Sequence, residues 1–117
     1  MEVILKTESQ IQAEMCKWLE ARGFFFWRQN NIPVYGRALP KWTPKGLPDI
    51  LVIYKEKFVA LEVKRPEGIY KDRKRKPTAT PDQLHFKRRV EEAGGLYFFV
   101  TSIEELHNAM RSLPEVL

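Results

Sequence analysis

Apolar residues change their spacing several times along the chain, and each change marks an element. Ile11, Met15, Trp18 and Leu19 recur at the interval of one helix face. Thr7-x-x-Gln10 ahead of them is a capping box and Gly23 stops the run, so a helix is predicted between. Phe-Phe-Phe-Trp-Arg over 24–28 reads as a buried strand. Residues 49–54 and 58–64 are two more β-rich runs, joined by Lys55-Glu56-Lys57 as a hairpin. Thr80-Pro81-Asp82-Gln83 opens a second helix. Thr80 is its N-cap, Pro81 its first residue, Asp82 sits at the positive dipole end, and Gln83 closes a capping box. Gly94-Gly95 ends that helix. Leu96–Val100 is a fourth strand, and Ser102-x-x-Glu105 caps a last helix to about Leu113, with Pro114 as a stop. The order α-β-β-β-α-β-α predicts an α/β fold with a mixed central sheet flanked by helices.

The chain has 117 residues, the size of one domain, 1–117. Its longest apolar runs are five residues, Ile50–Tyr54 and Leu96–Val100, far from the roughly 20 that a membrane span needs. MEVILKTESQ lacks the apolar stretch of a signal peptide. The lone Cys16 excludes an internal disulfide framework and suits a reducing, cytoplasmic compartment.

Charge adds a direction. Residues 64–89 hold ten Lys and Arg against three acids, a net +7, while the remainder is −2. Lys71, Arg73, Lys74, Arg75 and Lys76 crowd the connection 65–79, and Arg37, Lys41 and Lys45 extend the basic character into the proline-rich loop 29–48. A concentrated positive field suits a polyanion, nucleic acid first; the bland alternative is a solvated basic loop. Contacts from such a run would go to phosphates, which fix register without reading sequence.

Three ionisable residues stand where strands should be apolar: Asp49, Glu62 and Lys64. A turn centred on 55–57 pairs positions whose numbers sum to about 111–113, and Asp49 with Glu62 gives 111. The two carboxylates should be cross-strand neighbours, with Lys64 on the same face two residues beyond Glu62. Crowded carboxylates are costly unless something neutralises them. Mg²⁺ or Mn²⁺ would do so, taking the two carboxylates, the Val63 carbonyl and water. Such a site can activate water and stabilise charge on phosphate. The plain alternative is an exposed sheet end where Lys64 only neutralises two acids.

Gly46-Leu47-Pro48-Asp49, thirteen residues before Glu62-Val63-Lys64, resembles the PD-(D/E)xK nuclease superfamily, and most closely its virus-type replication–repair nuclease (VRR-NUC) domains. The likeness extends to Glu8-x-x-Ile11-Gln12, Arg28-Gln29-Asn30, Gln83 and Gly94-Gly95, in that order. It implies a restriction-endonuclease-like αβββαβ core and a metal-dependent phosphodiesterase of the stand-alone phage or bacterial type, similar in architecture to archaeal Holliday-junction resolvases. By the same resemblance, Asp49 and Glu62 match metal ligands and Lys64 the catalytic lysine. Glu8 matches a helix-one acid that helps hold the metal, and Gln83 a glutamine accompanying the site. The long basic connection 65–79 departs from the pattern.

Without the resemblance, Glu8 is an acid favoured by a helix dipole, Gln83 a capping residue, and Gln12 a support for Glu8 or an exposed side chain. Trp27 and Trp18 read as core; Trp42, in the polar loop, as a base-stacking or subunit contact. His85 and His107 receive no role. The expected activity is metal-dependent endonucleolytic cleavage of DNA, selective for branched substrates. A homodimer would supply two sites for paired cuts, with apolar Ile32, Val34, Tyr35, Leu39 and Trp42 as its interface. A nonenzymatic nucleic-acid-binding module, an RNA endonuclease and a structural accessory protein are the alternatives.

Overall fold

The structure, a computed structural model, describes residues 6–29, 41–66 and 79–113. Among these residues, three helices and four strands follow one another as α1 (Glu8–Ala21), β1 (Phe25–Arg28), β2 (Ile50–Tyr54), β3 (Lys57–Val63), α2 (Pro81–Glu92), β4 (Leu96–Val100) and α3 (Ile103–Arg111). The strands form one sheet in the order β1-β2-β3-β4. The first three are antiparallel, and β4 runs parallel to β3, so α2 is the crossover between parallel neighbours. The fold is α/β with a mixed sheet.

Both capping boxes form. Thr7 and Gln10 satisfy each other's backbone N–H groups at the start of α1, and Thr80 and Gln83 do the same at α2. The hairpin turn is tighter than expected: only Lys55 and Glu56 intervene, because Tyr54 already pairs with Lys57. Both turn residues have positive φ, 44° and 69°, as a type I′ connection requires.

Period-two alternation divides the sheet's residues between two faces. Ile50, Val52, Val59, Leu61, Val63 and Val100 point to α1 and α3, where they meet Ile11, Met15, Leu19 and Leu106 in the main core. Leu51, Ala60 and Tyr97 point the other way, toward Phe86 and Val90 of α2. This second layer covers β3 and β4. On β1 and β2 the same face leaves Phe25 68%, Trp27 38% and Ile53 47% exposed. The expectation of a buried first strand with Trp27 in the core is therefore corrected. β1 is an edge strand, and apolar composition alone does not distinguish an edge from a centre. Trp18 is half-buried against the core, stacked on Phe24 with the Arg22 guanidinium 4.0 Å from its ring centre.

Candidate active site: a carboxylate pair at the sheet end

Register brings the acids together. Ile50 pairs with Leu61, and the Asp49 N–H donates to the carbonyl of that same Leu61 at 3.1 Å, so the ladder slips by one residue at its end, as at a bulge. The expected pairing of Asp49 directly opposite Glu62 is corrected accordingly, and the two carboxyl groups still lie close enough to interact. Both belong to the α2 face, since Glu62 shares the parity of Ala60. Pro48, fully buried, and Gly46 lead the chain into this position. Gly46 has φ +76°, and its backbone lies so close to the first turn of α2 that a Cβ would collide with the Asp82 carbonyl. A residue with no side chain is required there on both counts. The contact fixes the Asp49 loop against the residue preceding Gln83.

Gln83 ties the site. Its Oε1 accepts from the Thr80 N–H at 3.0 Å and from Lys64 Nζ at 2.9 Å, while its Nε2 donates to Glu62 Oε1 at 2.6 Å. One side chain closes a capping box and aligns an acid with a base. Lys64 Nζ is 3.9 Å from Glu62 Oε1. Asp49 Oδ2 accepts from the Val63 N–H at 2.7 Å. A residue's N–H and C=O point to the same side of a strand, so the Val63 carbonyl also turns toward Asp49.

Glu62 is the one buried charged residue among the described residues, at 5% exposure. Burial, then the neighbouring Asp49, push its carboxyl up to about 8, against the opposing pull of Lys64. Asp49 is raised too, chiefly by burial, with the Val63 hydrogen bond opposing. The pair therefore retains a proton near neutrality. Among the described residues, Glu62 Oε2 is buried without a hydrogen-bond partner, and so is the Tyr97 hydroxyl. Burial raises Tyr97, and the charges of Glu62 and Asp49 raise it further.

This donor set fits a hard divalent cation: two oxygen donors that repel one another, an orphaned carboxylate oxygen and a carbonyl facing them. Among the described residues no three His, Cys, Asp or Glu side chains gather at metal-binding range. The protein donors would thus be two carboxylates and the Val63 carbonyl, with water completing the shell. Glu8, in the exposed first turn of α1, acts at longer range: its charge raises both Asp49 and Glu62.

Two further features carry no signal in the sequence. Arg28 donates to Gln12 Oε1 at 2.9 Å and to Ser9 Oγ at 2.8 Å, locking the Glu8 turn to the end of β1. Gln12 serves Arg28. Tyr97 reaches the site because β4 pairs in parallel with β3, and no local pattern announces that register.

Of the basic residues singled out for nucleic acid, Lys41 and Lys45 are exposed, and Lys41 Nζ stands 5.0 Å from the ring centre of Trp42, itself 89% exposed. Arg37, Lys71, Arg73, Lys74, Arg75 and Lys76 lie outside the described residues, as do Ile32, Val34, Tyr35 and Leu39. No helix among the described residues is long and apolar enough to cross a membrane. No family model, curated protein or solved structure matches the chain.

Proposed function

We propose that the chain is a metal-dependent endonuclease of the PD-(D/E)xK type with a restriction-endonuclease-like core, hydrolysing DNA phosphodiester bonds. The observation that carries this reading is the crowded pair Asp49–Glu62, held beside Lys64 by Gln83. Asp49, Glu62 and the Val63 carbonyl would hold Mg²⁺ or Mn²⁺, which would supply Lewis acidity for acidifying water and offsetting charge on the phosphate. The chain's own groups do the rest. Lys64 orients the attacking water and takes part in its proton transfer. Gln83 holds Lys64 and Glu62 in fixed relation, so their geometry costs no reorganisation during the reaction. Glu8 adds negative charge that strengthens cation binding at the pair.

One site cuts one strand, so paired cuts across a two-fold junction need two copies. Exposed Phe25, Trp27, Ile53 and Trp42 offer apolar surface for a second subunit. A homodimer selective for branched DNA follows, and equal cleavage of four-way and linear DNA by a clean monomer would remove it.

The deciding experiment is nicking of supercoiled plasmid in Mg²⁺ or Mn²⁺. Asp49→Ala, Glu62→Ala and Lys64→Ala should each lose at least about a hundredfold in rate while melting as folded proteins. A Lys64→Ala variant that nicks at the wild-type rate overturns the reading. Cleavage of RNA alone would move the substrate and leave the chemistry.

A further inference from the structure

Along α2, from the turn that follows Gln83 to the helix C-terminus, a cleft of about 670 Å³ opens between the helix, Phe58 of β3 and the segment at 44–45. Its floor is apolar: Phe58, Phe86 and Val90. Lys45, His85 and Arg89 also line it, and no acid does among the described residues. The Lys45 and Arg89 side chains make no ion pair among those residues. Another cleft, about 660 Å³ on the opposite face at the hairpin end of the sheet, differs in part. There Arg22 and Lys55 already lie over the rings of Trp18 and Tyr54, and Arg111 alone of its Lys and Arg residues has no such contact among the described residues. The first cleft thus pairs a hydrophobic floor with uncommitted cations, the complement of a flat apolar group joined to an anion.

One end of the cleft approaches the site through its chain neighbours, since Phe86 is one turn of α2 beyond Gln83. Lys45 precedes Gly46, whose backbone abuts Asp82 and Gln83, and Gln83 reaches Glu62. Along α2, Arg89 is six residues beyond Gln83, a rise of about 9 Å. A strand with one phosphate at Glu62 and Lys64 would bring a neighbouring nucleotide to this opening.

We infer that the cleft receives one unpaired nucleotide of the strand being cut, its base against Phe58 and Phe86 and its phosphate between Lys45 and Arg89. A paired base inside a continuous duplex cannot turn its face to that floor. The cleft would select strands with a free or extrudable nucleotide next to the cut, as at flaps, junctions and single-stranded ends, without reading which base it is. This rests on the nuclease reading above, and the test separates the two.

The test measures binding in EDTA by fluorescence anisotropy, with a labelled short oligothymidine strand, the same strand carrying single abasic positions, and a blunt duplex of equal length. Wild type should prefer the intact strand to the duplex by roughly tenfold, and abasic substitution should matter at only one position or two adjacent ones. Lys45→Ala with Arg89→Ala should remove most of that preference and lower the log–log salt slope on the strand by about 0.7, for the one phosphate no longer neutralised. Phe86→Leu keeps apolar volume but no ring face. It should lose about fivefold in strand affinity at a temperature well below its own melting transition. Wild-type strand affinity in the Lys45/Arg89 and Phe86 variants overturns the cleft, as does equal affinity for blunt duplex. The same proteins are then assayed for nicking in Mg²⁺. Cleavage with binding untouched by the variants sinks the cleft alone. Cleft-dependent binding with no cleavage by any form sinks the nuclease reading alone. Failure to bind strand or duplex sinks both.

Discussion

On one face of the sheet α1 and α3 bury Met15, Leu19 and Leu106 completely; on the other, α2 covers β3 and β4 without one fully buried residue of its own. The first face is sealed by aliphatic side chains from two helices. The second carries Glu62, Tyr97 and the cleft along α2, and it leaves Phe25, Trp27 and Ile53 in solvent. Tight apolar packing and buried ionisable groups are divided between the faces. A sealed core has no room for a carboxylate pair, whereas a single helix laid across half a face leaves both a sheltered site and an approach to it.

Truncation on each face tests the division most directly. Leu19→Ala should cost about 4 kcal/mol, because a fully buried side chain leaves a cavity that the surrounding helices cannot close. Leu84→Ala, on the exposed side of α2 at 49% exposure, should cost under about 0.5 kcal/mol. Urea denaturation of both variants gives the ratio, and comparable losses would erase the contrast between the faces.

Gly46 is where the thinner face is rigid. Gly46→Ala should lose roughly 3 kcal/mol: about 1 for a non-glycine residue at positive φ, and the rest from backbone collision with Asp82. Gly94 also has positive φ, +91°, but nothing stands within 4 Å of its added Cβ. Gly94→Ala should therefore lose only the conformational part. If the two variants melt together, the Gly46–Asp82 contact does not hold the Asp49 loop to α2.

The carboxylate pair predicts a pH dependence of definite sign. Folded Glu62 keeps its proton up to about 8, against an ordinary 4.5 in the unfolded chain, so the folded state binds more protons between these values. Metal-free stability should be highest below about pH 4.5 and fall as pH rises to about 8. Glu62→Gln should remove most of that fall and melt as the more stable protein at pH 8, by about 2 kcal/mol once water reaching the sheet end is allowed for. Mg²⁺ should restore stability to wild type and not to Glu62→Gln. A flat melting profile for metal-free wild type from pH 5 to 8 would mean the pair is not crowded.

The sealed face was readable from the sequence and the open one only in part. Ile11, Met15 and Leu19 announce their face by helical spacing alone, and the capping boxes at Thr7 and Thr80 mark both helix starts. Hairpin arithmetic also gave the register of β2 on β3, because antiparallel register is local once the turn is known, but not the slip at Asp49. The exposure of Trp27 was not readable, since nothing in Phe-Phe-Phe-Trp says that the helix over that face lies on β3 and β4. The Arg28–Gln12 bond and the arrival of Tyr97 beside Glu62 depend on tertiary approach and a parallel register, which no short-range pattern encodes. Gln83 was visible as a capping residue, and its capping geometry is what aims its amide at Lys64 and Glu62.

A small effect of opposite sign is expected where neither face is involved. The hairpin turn holds Lys55 and Glu56 at φ 44° and 69°, a conformation that side chains with a Cβ resist. Lys55 is partly compensated, as its ammonium stands 5.3 Å from the centre of the Tyr54 ring, and Asn or Gly there would forfeit that contact. Glu56 makes no hydrogen bond or ion pair among the described residues, so its strain stands alone. Glu56→Gly should relieve about 1 kcal/mol of backbone strain and return part of it as added freedom of the unfolded chain, for a net gain of roughly 0.5 kcal/mol. The turn lies at the opposite end of β2 and β3 from Asp49 and Glu62, so the plasmid-nicking rate should not change. A Glu56→Gly protein that melts lower than wild type would show the turn to be unstrained. One that melts higher but cuts more slowly would show that the hairpin end reaches the carboxylates through the strands, and the two ends of the sheet could no longer be treated as independent.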